Sequence, residues 1–145
     1  MSFLDAFQGY HQIPLALGDQ KKTAFVTRTG NYHYKVMPFG LKNTGSTYQR
    51  MMTRMFESQL VKSIEVYIDD MVVKSKVVSK HVGDLENIFE FLRKHKLRLN
   101  TSKCFFGVRL GKFLGCMVTH QGIEVNPDQI KEINNLQPPR NPKEV

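Results

Sequence analysis

Two adjacent carboxylates, Asp69 and Asp70, are the residues of this sequence best suited to chemistry. They lie between the apolar runs 64–68 and 71–73, whose β-branched residues are typical of strands. Two such runs separated by two turn-tolerant residues predict a β-hairpin with the acids at its tip. A hard divalent cation would relieve the repulsion between the acids. Asp-Asp is also an ordinary turn pair, so both interpretations stay open on these residues alone.

A third acid, Asp5, ends the short apolar run Phe3-Leu4-Asp5-Ala6, which is typical of the end of a buried strand. If this strand neighbours the hairpin, three carboxylates meet at one rim of a sheet. Two Mg²⁺ ions held there would activate an attacking oxygen and steady a leaving phosphate, as in phosphoryl or nucleotidyl transfer. A helix cap for the following segment is the alternative role of Asp5.

The elements that must position these acids have a mixed pattern, which predicts an α+β protein with an antiparallel sheet and helices packed on one face. Apolar residues at helical spacing predict helices over about 46–60 and 80–96. Asn126-Pro127 predicts a further helix start, and Pro138-Pro139 predicts its end and a linker. Short strands are predicted over 23–27, 32–36, 104–106 and 112–118.

Composition narrows the function classes. The 145 residues contain 21 Lys and Arg against 13 acids, a net charge of +8 that favours a polyanionic partner such as nucleic acid, although it also serves plain solubility. No apolar stretch is long enough for a membrane span, and no signal peptide is visible, so we expect an intracellular protein without a membrane partner. Cys104 and Cys116 are expected to be buried small residues rather than zinc ligands with His81 and His120.

Several segments, taken together and in order, resemble the palm of a reverse transcriptase from gypsy-type LTR retrotransposons, particularly those of plants. A lone Tyr-x-Asp-Asp would be a weak signal, but the series covers nearly the whole chain. The segments are Phe3-Leu4-Asp5-Ala6, Gly9-Tyr10-His11-Gln12-Ile13, Met37-Pro38-Phe39-Gly40-Leu41-Lys42-Asn43, Thr47-Tyr48-Gln49-Arg50, Val66-Tyr67-Ile68-Asp69-Asp70, Leu97-Arg98-Leu99-Asn100 and Phe113-Leu114-Gly115.

The resemblance implies a role for each matching position in an RNA-directed DNA polymerase. Asp5, Asp69 and Asp70 would be the catalytic carboxylates, with Asp5 and Asp69 the principal ligands of two Mg²⁺ ions, for which Mn²⁺ can substitute. Lys103 would protonate the departing pyrophosphate. The incoming nucleotide and primer end would meet Tyr10, Phe39, Gly40 and Ile68, and the template and primer would meet Gln49, Arg50, Phe113, Leu114 and Gly115.

Local sequence gives three of these residues a second interpretation. Tyr10 also fits an ordinary core tyrosine. Arg50 also fits a solvated helix residue, and Lys103 also fits an exposed lysine before a strand.

The resemblance also implies partners and domain limits. The partners would be an RNA or DNA template with its primer and deoxynucleoside triphosphates, within a cytoplasmic particle for an intact element; the oligomeric state stays open. We expect a palm over 1–126 with a remnant of the fingers at about 14–36, and over 127–145 the start of a linker toward an absent thumb. Because most of the fingers and the thumb are then missing, we expect a fragment truncated at both ends and inactive alone. The alternative function is an inactive retrotransposon relic that at most binds nucleic acid.

Overall fold

The computed structural model describes residues 1–58, 60, 62–119 and 121–136. The chain divides into two compact units, Met1–Val108 and Arg109–Val145. Compactness does not test the domain boundary expected at residue 126, which stays a prediction. The linker expected after Pro138 lies outside the described residues, as does His120.

The first unit combines an antiparallel sheet, a separate hairpin and helices. Its strands are β1 (Ser2–Asp5), β2 (Phe25–Thr27), β3 (Gly30–Tyr32), β4 (Ile64–Tyr67) and β5 (Asp70–Val73). Its α-helices are α1 (Leu17–Gln20), α2 (Thr44–Met55) and α3 (His81–Lys94), and short 3-10 turns cover Gly9–Gln12, Lys21–Thr23, Val78–Lys80 and Thr101–Lys103.

The sheet of the first unit has the order β1-β5-β4, with both pairings antiparallel. The inner strand β5 therefore pairs with β1 on one side and with β4, its partner in the hairpin, on the other. The free edge of β1 is covered by the segment after α3, because Phe3 bridges to Phe105 and Ala6 bridges to Leu99.

Alternation along the strands places one face of this sheet against the helices. Leu4, Ile64, Met71 and Val73 are buried and belong to one core cluster. The helical members of that cluster are Tyr48, Met52, Phe56, Ile88 and Leu92, which come from α2, its C-terminal cap and α3. Each such side chain contributes about 1.5–3 kcal/mol by leaving water. The predicted α+β fold with helices on one sheet face is confirmed.

The structure corrects several predicted boundaries. The hairpin turn consists of Ile68 and Asp69, because Tyr67 pairs with Asp70, so Asp70 is a strand residue and not a tip residue. The helix predicted over 46–60 is Thr44–Met55. The strand predicted over 104–106 is a single bridge at Phe105. Cys104 and Cys116 are free and half-buried rather than fully buried.

The second unit contains a three-stranded sheet and one helix among its described residues: β6 (Leu110–Phe113), β7 (Cys116–Thr119), β8 (Ile123–Glu124) and α4 (Pro127–Asn135). The single strand predicted over 112–118 is thus a hairpin, because Leu114 and Gly115 both have positive φ angles, 52° and 78°, and form its two-residue turn. The predicted helix start is confirmed: the Asn126 side chain accepts a hydrogen bond from Asp128 N at 3.1 Å. None of the described helices is long and apolar enough to cross a membrane.

Candidate functional site

The three predicted carboxylates meet at one end of the first unit's sheet. Asp5 and Asp70 are direct partners in the β1–β5 register, and Asp69 occupies the turn beside them. The backbone N–H of Ala6 donates to the carbonyl oxygen of Asp69 at 3.0 Å. This bond fastens the end of β1 to the hairpin turn, so the backbone itself brings the acids together.

Neighbouring groups compensate the charges of Asp69 and Asp70 only in part, because the pKa of each carboxyl is raised on balance. Burial, and secondly the charge of Asp5, raise the pKa of both Asp69 and Asp70. The opposing cation is Lys103, whose Nζ lies 3.9 Å from Asp5 Oδ2 and whose side chain is 67% exposed. Such an exposed, distant contact stabilises weakly, so the site keeps an excess of negative charge.

The donor chemistry of the site fits a hard divalent cation, because carboxylate oxygens are the ligands such ions prefer. Asp69 Oδ1 is buried and has no hydrogen-bond partner of normal geometry among the described residues, so the charge of this carboxylate is poorly satisfied by the protein. Within the described ranges, however, no three acidic, histidine or cysteine side chains close around a common point. The backbone pairing therefore brings the three acidic residues to one end of the sheet, whereas their side chains do not form a metal-coordinating cluster among the described residues.

A second feature of the site is a clamp on the hairpin turn by Gln49 of α2. Its Nε2 donates to Val66 O at 3.1 Å, and its Oε1 accepts from the backbone N–H of Ile68 at 2.6 Å. Ile68 has a φ of 51°, a left-handed conformation that costs a β-branched residue about 1–3 kcal/mol. The sequence did not predict this contact, which engages both ends of the amide; the template contact of Gln49 stays a prediction.

Aromatic side chains lie close to the carboxylates. The Tyr10 ring meets Phe39 edge-on with centroids 5.1 Å apart, and it meets Tyr48 at 5.3 Å. Phe39 is 60% exposed, and Gly40 beside it has a φ of 88° with open space around its Cα. Burial and the charge of Asp69 raise the pKa of Tyr10. Tyr10, Phe39 and Gly40 therefore form an accessible wall next to the acids.

The positions of the remaining predicted residues do not decide their roles. Arg50 is exposed on α2, so both of its interpretations stay open. Phe113 ends β6, and Leu114 and Gly115 form the turn of the second unit. Their predicted contact with the primer stays a prediction.

Sequence reasoning gave no individual role to Gly9 or Tyr48, which were named only as parts of the matching segments. A Cβ atom on Gly9 would lie 2.1 Å from Asp69 Oδ1 and 2.5 Å from the Tyr48 hydroxyl oxygen. Both residues thus contact the carboxylate site directly. The available signal was a tyrosine, with its polar hydroxyl, at helical spacing among the apolar residues of the helix predicted over 46–60.

A family model and curated relatives match nearly the whole chain. The model of the family "Reverse transcriptase (RNA-dependent DNA polymerase)" matches residues 1–118. The chain belongs to the reverse transcriptase family. It is 37% identical over 142 residues to the "Retrovirus-related Pol polyprotein from transposon 297" of Drosophila melanogaster, covering 98% of this chain and 13% of that protein. It is 33% identical over 136 residues to the corresponding polyprotein from transposon gypsy of the same organism, covering 94% of this chain and 13% of that protein.

Solved structures share the fold. The foamy viral protease-reverse transcriptase in complex with RNA/DNA hybrid superimposes with a TM-score of 0.83 at 24% identity, over 99% of this chain and 19% of that one. A form of the same enzyme in complex with double-stranded DNA gives a TM-score of 0.88, also at 24% identity, over 99% of this chain and 25% of that one. The predicted resemblance to gypsy-type transposon reverse transcriptases and the predicted palm fold are confirmed. The chain spans about one eighth of the length of these curated relatives.

Proposed function

We propose that this chain carries the nucleotidyl transfer site of an RNA-directed DNA polymerase, in a palm over residues 1–126 with a fingers remnant at about 14–36. The observation that carries the proposal is the register of β1 on β5, which pairs Asp5 with Asp70 and sets Asp69 in the adjoining turn. Three carboxylates at one rim, with their charges only partly compensated, match the requirement of two-metal catalysis.

Asp5 and Asp69, assisted by Asp70, would hold two divalent ions, Mg²⁺ with Mn²⁺ as a substitute. When bound, the ions neutralise phosphate charge and lower the pKa of the attacking primer hydroxyl. Lys103, at 3.9 Å from Asp5, is within reach of the same rim and would donate a proton to the leaving pyrophosphate. Catalysis of this kind depends on positioning and electrostatics, which the clamped turn supplies.

The proposed substrates follow from the accessible wall and the charge. Tyr10, Phe39 and Gly40 border the acids where an incoming deoxynucleoside triphosphate would lie, and Ile68 in the adjacent turn would touch the primer end. A net charge of +8 favours a template and primer as partners, and the foamy viral relatives are seen with RNA/DNA hybrid and double-stranded DNA. Gln49, Arg50, Phe113, Leu114 and Gly115 are proposed to meet those strands, within a cytoplasmic particle in an intact element.

Nucleic-acid binding without catalysis is the second candidate function. It is favoured by the described carboxylates not closing around one point. In this case the positive charge would hold template and primer, and the acids would not promote transfer.

Primer extension on an RNA template with Mg²⁺ separates the two candidates. The chain is compared with the double variant Asp69→Asn, Asp70→Asn, and binding of the same primer and template is followed by fluorescence anisotropy. Extension by the parent and not by the variant supports a self-sufficient polymerase site. Tight binding without extension by either protein supports the second candidate, and equal extension by both contradicts the assignment of the acids.

A further inference from the structure

The space above Gly9 brings two buried oxygen atoms to the same place. A Cβ on Gly9 would lie 2.1 Å from Asp69 Oδ1, 2.5 Å from the Tyr48 hydroxyl oxygen and 2.7 Å from Tyr48 Cζ. All three distances are shorter than the contacts that Cβ atoms make with other atoms in folded proteins. Gly9 has no positive φ, so glycine is required here for space and not for backbone conformation.

Neither oxygen has a hydrogen-bond partner of normal geometry among the described residues, although the Tyr48 hydroxyl is close enough to Asp69 for a hydrogen bond between them to oppose the rise in the pKa of that carboxyl. Tyr48 is 0% exposed, and its hydroxyl and Asp69 Oδ1 are both buried without a bond of normal geometry. An unpaired buried polar group destabilises the folded protein, and a charged one does so more strongly. A donor and an acceptor that border the same small space can remove both destabilising effects by bonding to each other.

We propose that Tyr48 is a positioning residue, whose hydroxyl donates to Asp69 Oδ1 and so turns the other oxygen, Oδ2, toward the metal side of the rim. This inference rests on the proposed function, because it gives Tyr48 a task only if Asp69 is a metal ligand. Gly9 belongs to the same device, since its missing side chain leaves the room in which the two groups meet.

Two properties of Tyr48 suit this task. A tyrosine hydroxyl has an ordinary pKa of about 10, so at neutral pH it carries its proton and can act as a donor. The ring is held by the core and by its edge-on contact with Tyr10 at 5.3 Å. A rigid donor fixes the rotamer of the carboxylate in a way that a mobile solvent-exposed one would not.

The test measures metal binding, which does not depend on polymerase activity. Mn²⁺ is titrated into the 145-residue chain, and free Mn²⁺ is followed by electron paramagnetic resonance. The variants are Tyr48→Phe, Asp69→Asn and the control Tyr34→Phe. Tyr34 is an exposed tyrosine whose hydroxyl makes no hydrogen bond within the described residues. We expect Tyr48→Phe to weaken Mn²⁺ binding about tenfold, Asp69→Asn to weaken it further, and the control to leave it unchanged.

Thermal unfolding of the same proteins distinguishes positioning from packing. Tyr48→Phe keeps the ring and removes only the hydroxyl, so the packing is kept and Asp69 Oδ1 loses its donor. We therefore expect a cooperative unfolding transition with a melting temperature a few degrees below that of the parent, roughly 3–8 °C. Unchanged Mn²⁺ binding by Tyr48→Phe, together with a loss in Asp69→Asn, would overturn the positioning role and leave the proposed function standing. Unchanged binding by Asp69→Asn would overturn both.

Discussion

Two polar clusters lie at opposite ends of β1, and they are built on opposite rules. At the start of the strand, Ser2 Oγ accepts from Gly107 N at 3.1 Å and lies 2.8 Å from His81 Nε2. His81 Nδ1 lies 2.9 Å from Ser75 Oγ, which donates to Asp84. With the His81 proton on Nδ1, every donor in this hydrogen-bond network has an acceptor.

The cluster at the end of β1 lacks such balance. Asp5, Asp69 and Asp70 supply acceptors, the nearest cation is loosely held, and Asp69 Oδ1 and the Tyr48 hydroxyl are unpartnered. The balanced cluster stabilises the strand ends, whereas the unbalanced one lowers stability until a positive charge arrives. Among the described residues, the buried side-chain atoms without a hydrogen-bond partner therefore lie at the end of the sheet where the nucleotidyl transfer site is proposed.

Filling the space at Gly9 is the strongest way to break the unbalanced cluster. Gly9→Ala forces Asp69 and Tyr48 apart, and we expect it to lower the free energy of unfolding by about 3 kcal/mol. The matched control is Gly18→Ala, because a Cβ there meets nothing within 4 Å. We expect the control to be neutral or slightly stabilising. Urea unfolding measures both, and equal midpoints for the two variants would contradict the crowding.

The placement of these clusters shows what the sequence could and could not predict. Apolar runs predicted the strands around Asp69 and the core stripe of α2, because periodicity reports which face is buried. It could not predict that Ile68 enters the turn, since a β-branched residue disfavours positive φ and the compensating amide of Gln49 lies 19 positions away. Nor does periodicity report where the hydroxyl of a buried tyrosine points, so the role of Tyr48 required coordinates.

Removing the clamp on the turn is expected to have the second largest effect. Gln49→Ala leaves the Ile68 N–H unpaired and releases its left-handed conformation, so we expect a loss of about 2 kcal/mol in stability. Thr53→Ala, on the exposed side of the same helix, serves as the control. Hydrogen exchange of the Ile68 amide reports the clamp directly. An exchange rate unchanged in Gln49→Ala would show that the turn holds without it.

Neutralising Asp69 is expected to raise the stability of the metal-free protein rather than lower it. Because the pKa of Asp69 is raised in the folded state, the folded protein binds a proton more tightly than the unfolded one, and stability falls as pH rises through the acid range. Asp69→Asn removes this loss, and we expect its melting temperature without metal to exceed that of the parent by roughly 3 °C at neutral pH. Saturating Mg²⁺ should reverse the order, since it binds the folded parent. If Asp69→Asn is less stable than the parent without metal, the ionised Asp69 carboxylate does not destabilise the folded protein as argued.

The balanced cluster should respond to pH with the opposite sign and the smallest effect. Burial, and secondly the terminal amine, lower the pKa of His81 against the opposing charge of Asp84. The folded protein then binds fewer protons than the unfolded one, so this stability is present above the unfolded pKa of about 6.5 and is lost as pH falls below it. We expect His81→Gln to remove a drop of about 2 °C in melting temperature between pH 7.5 and 5, whereas the exposed His33→Gln keeps it. Asp69 and Asp70 change the stability with pH in the opposite direction. Both acids are present in the two histidine variants, so the test compares the pH dependence of the melting temperature between His81→Gln and His33→Gln. Equal pH profiles for them would show that the network at Ser2 does not depend on a neutral His81.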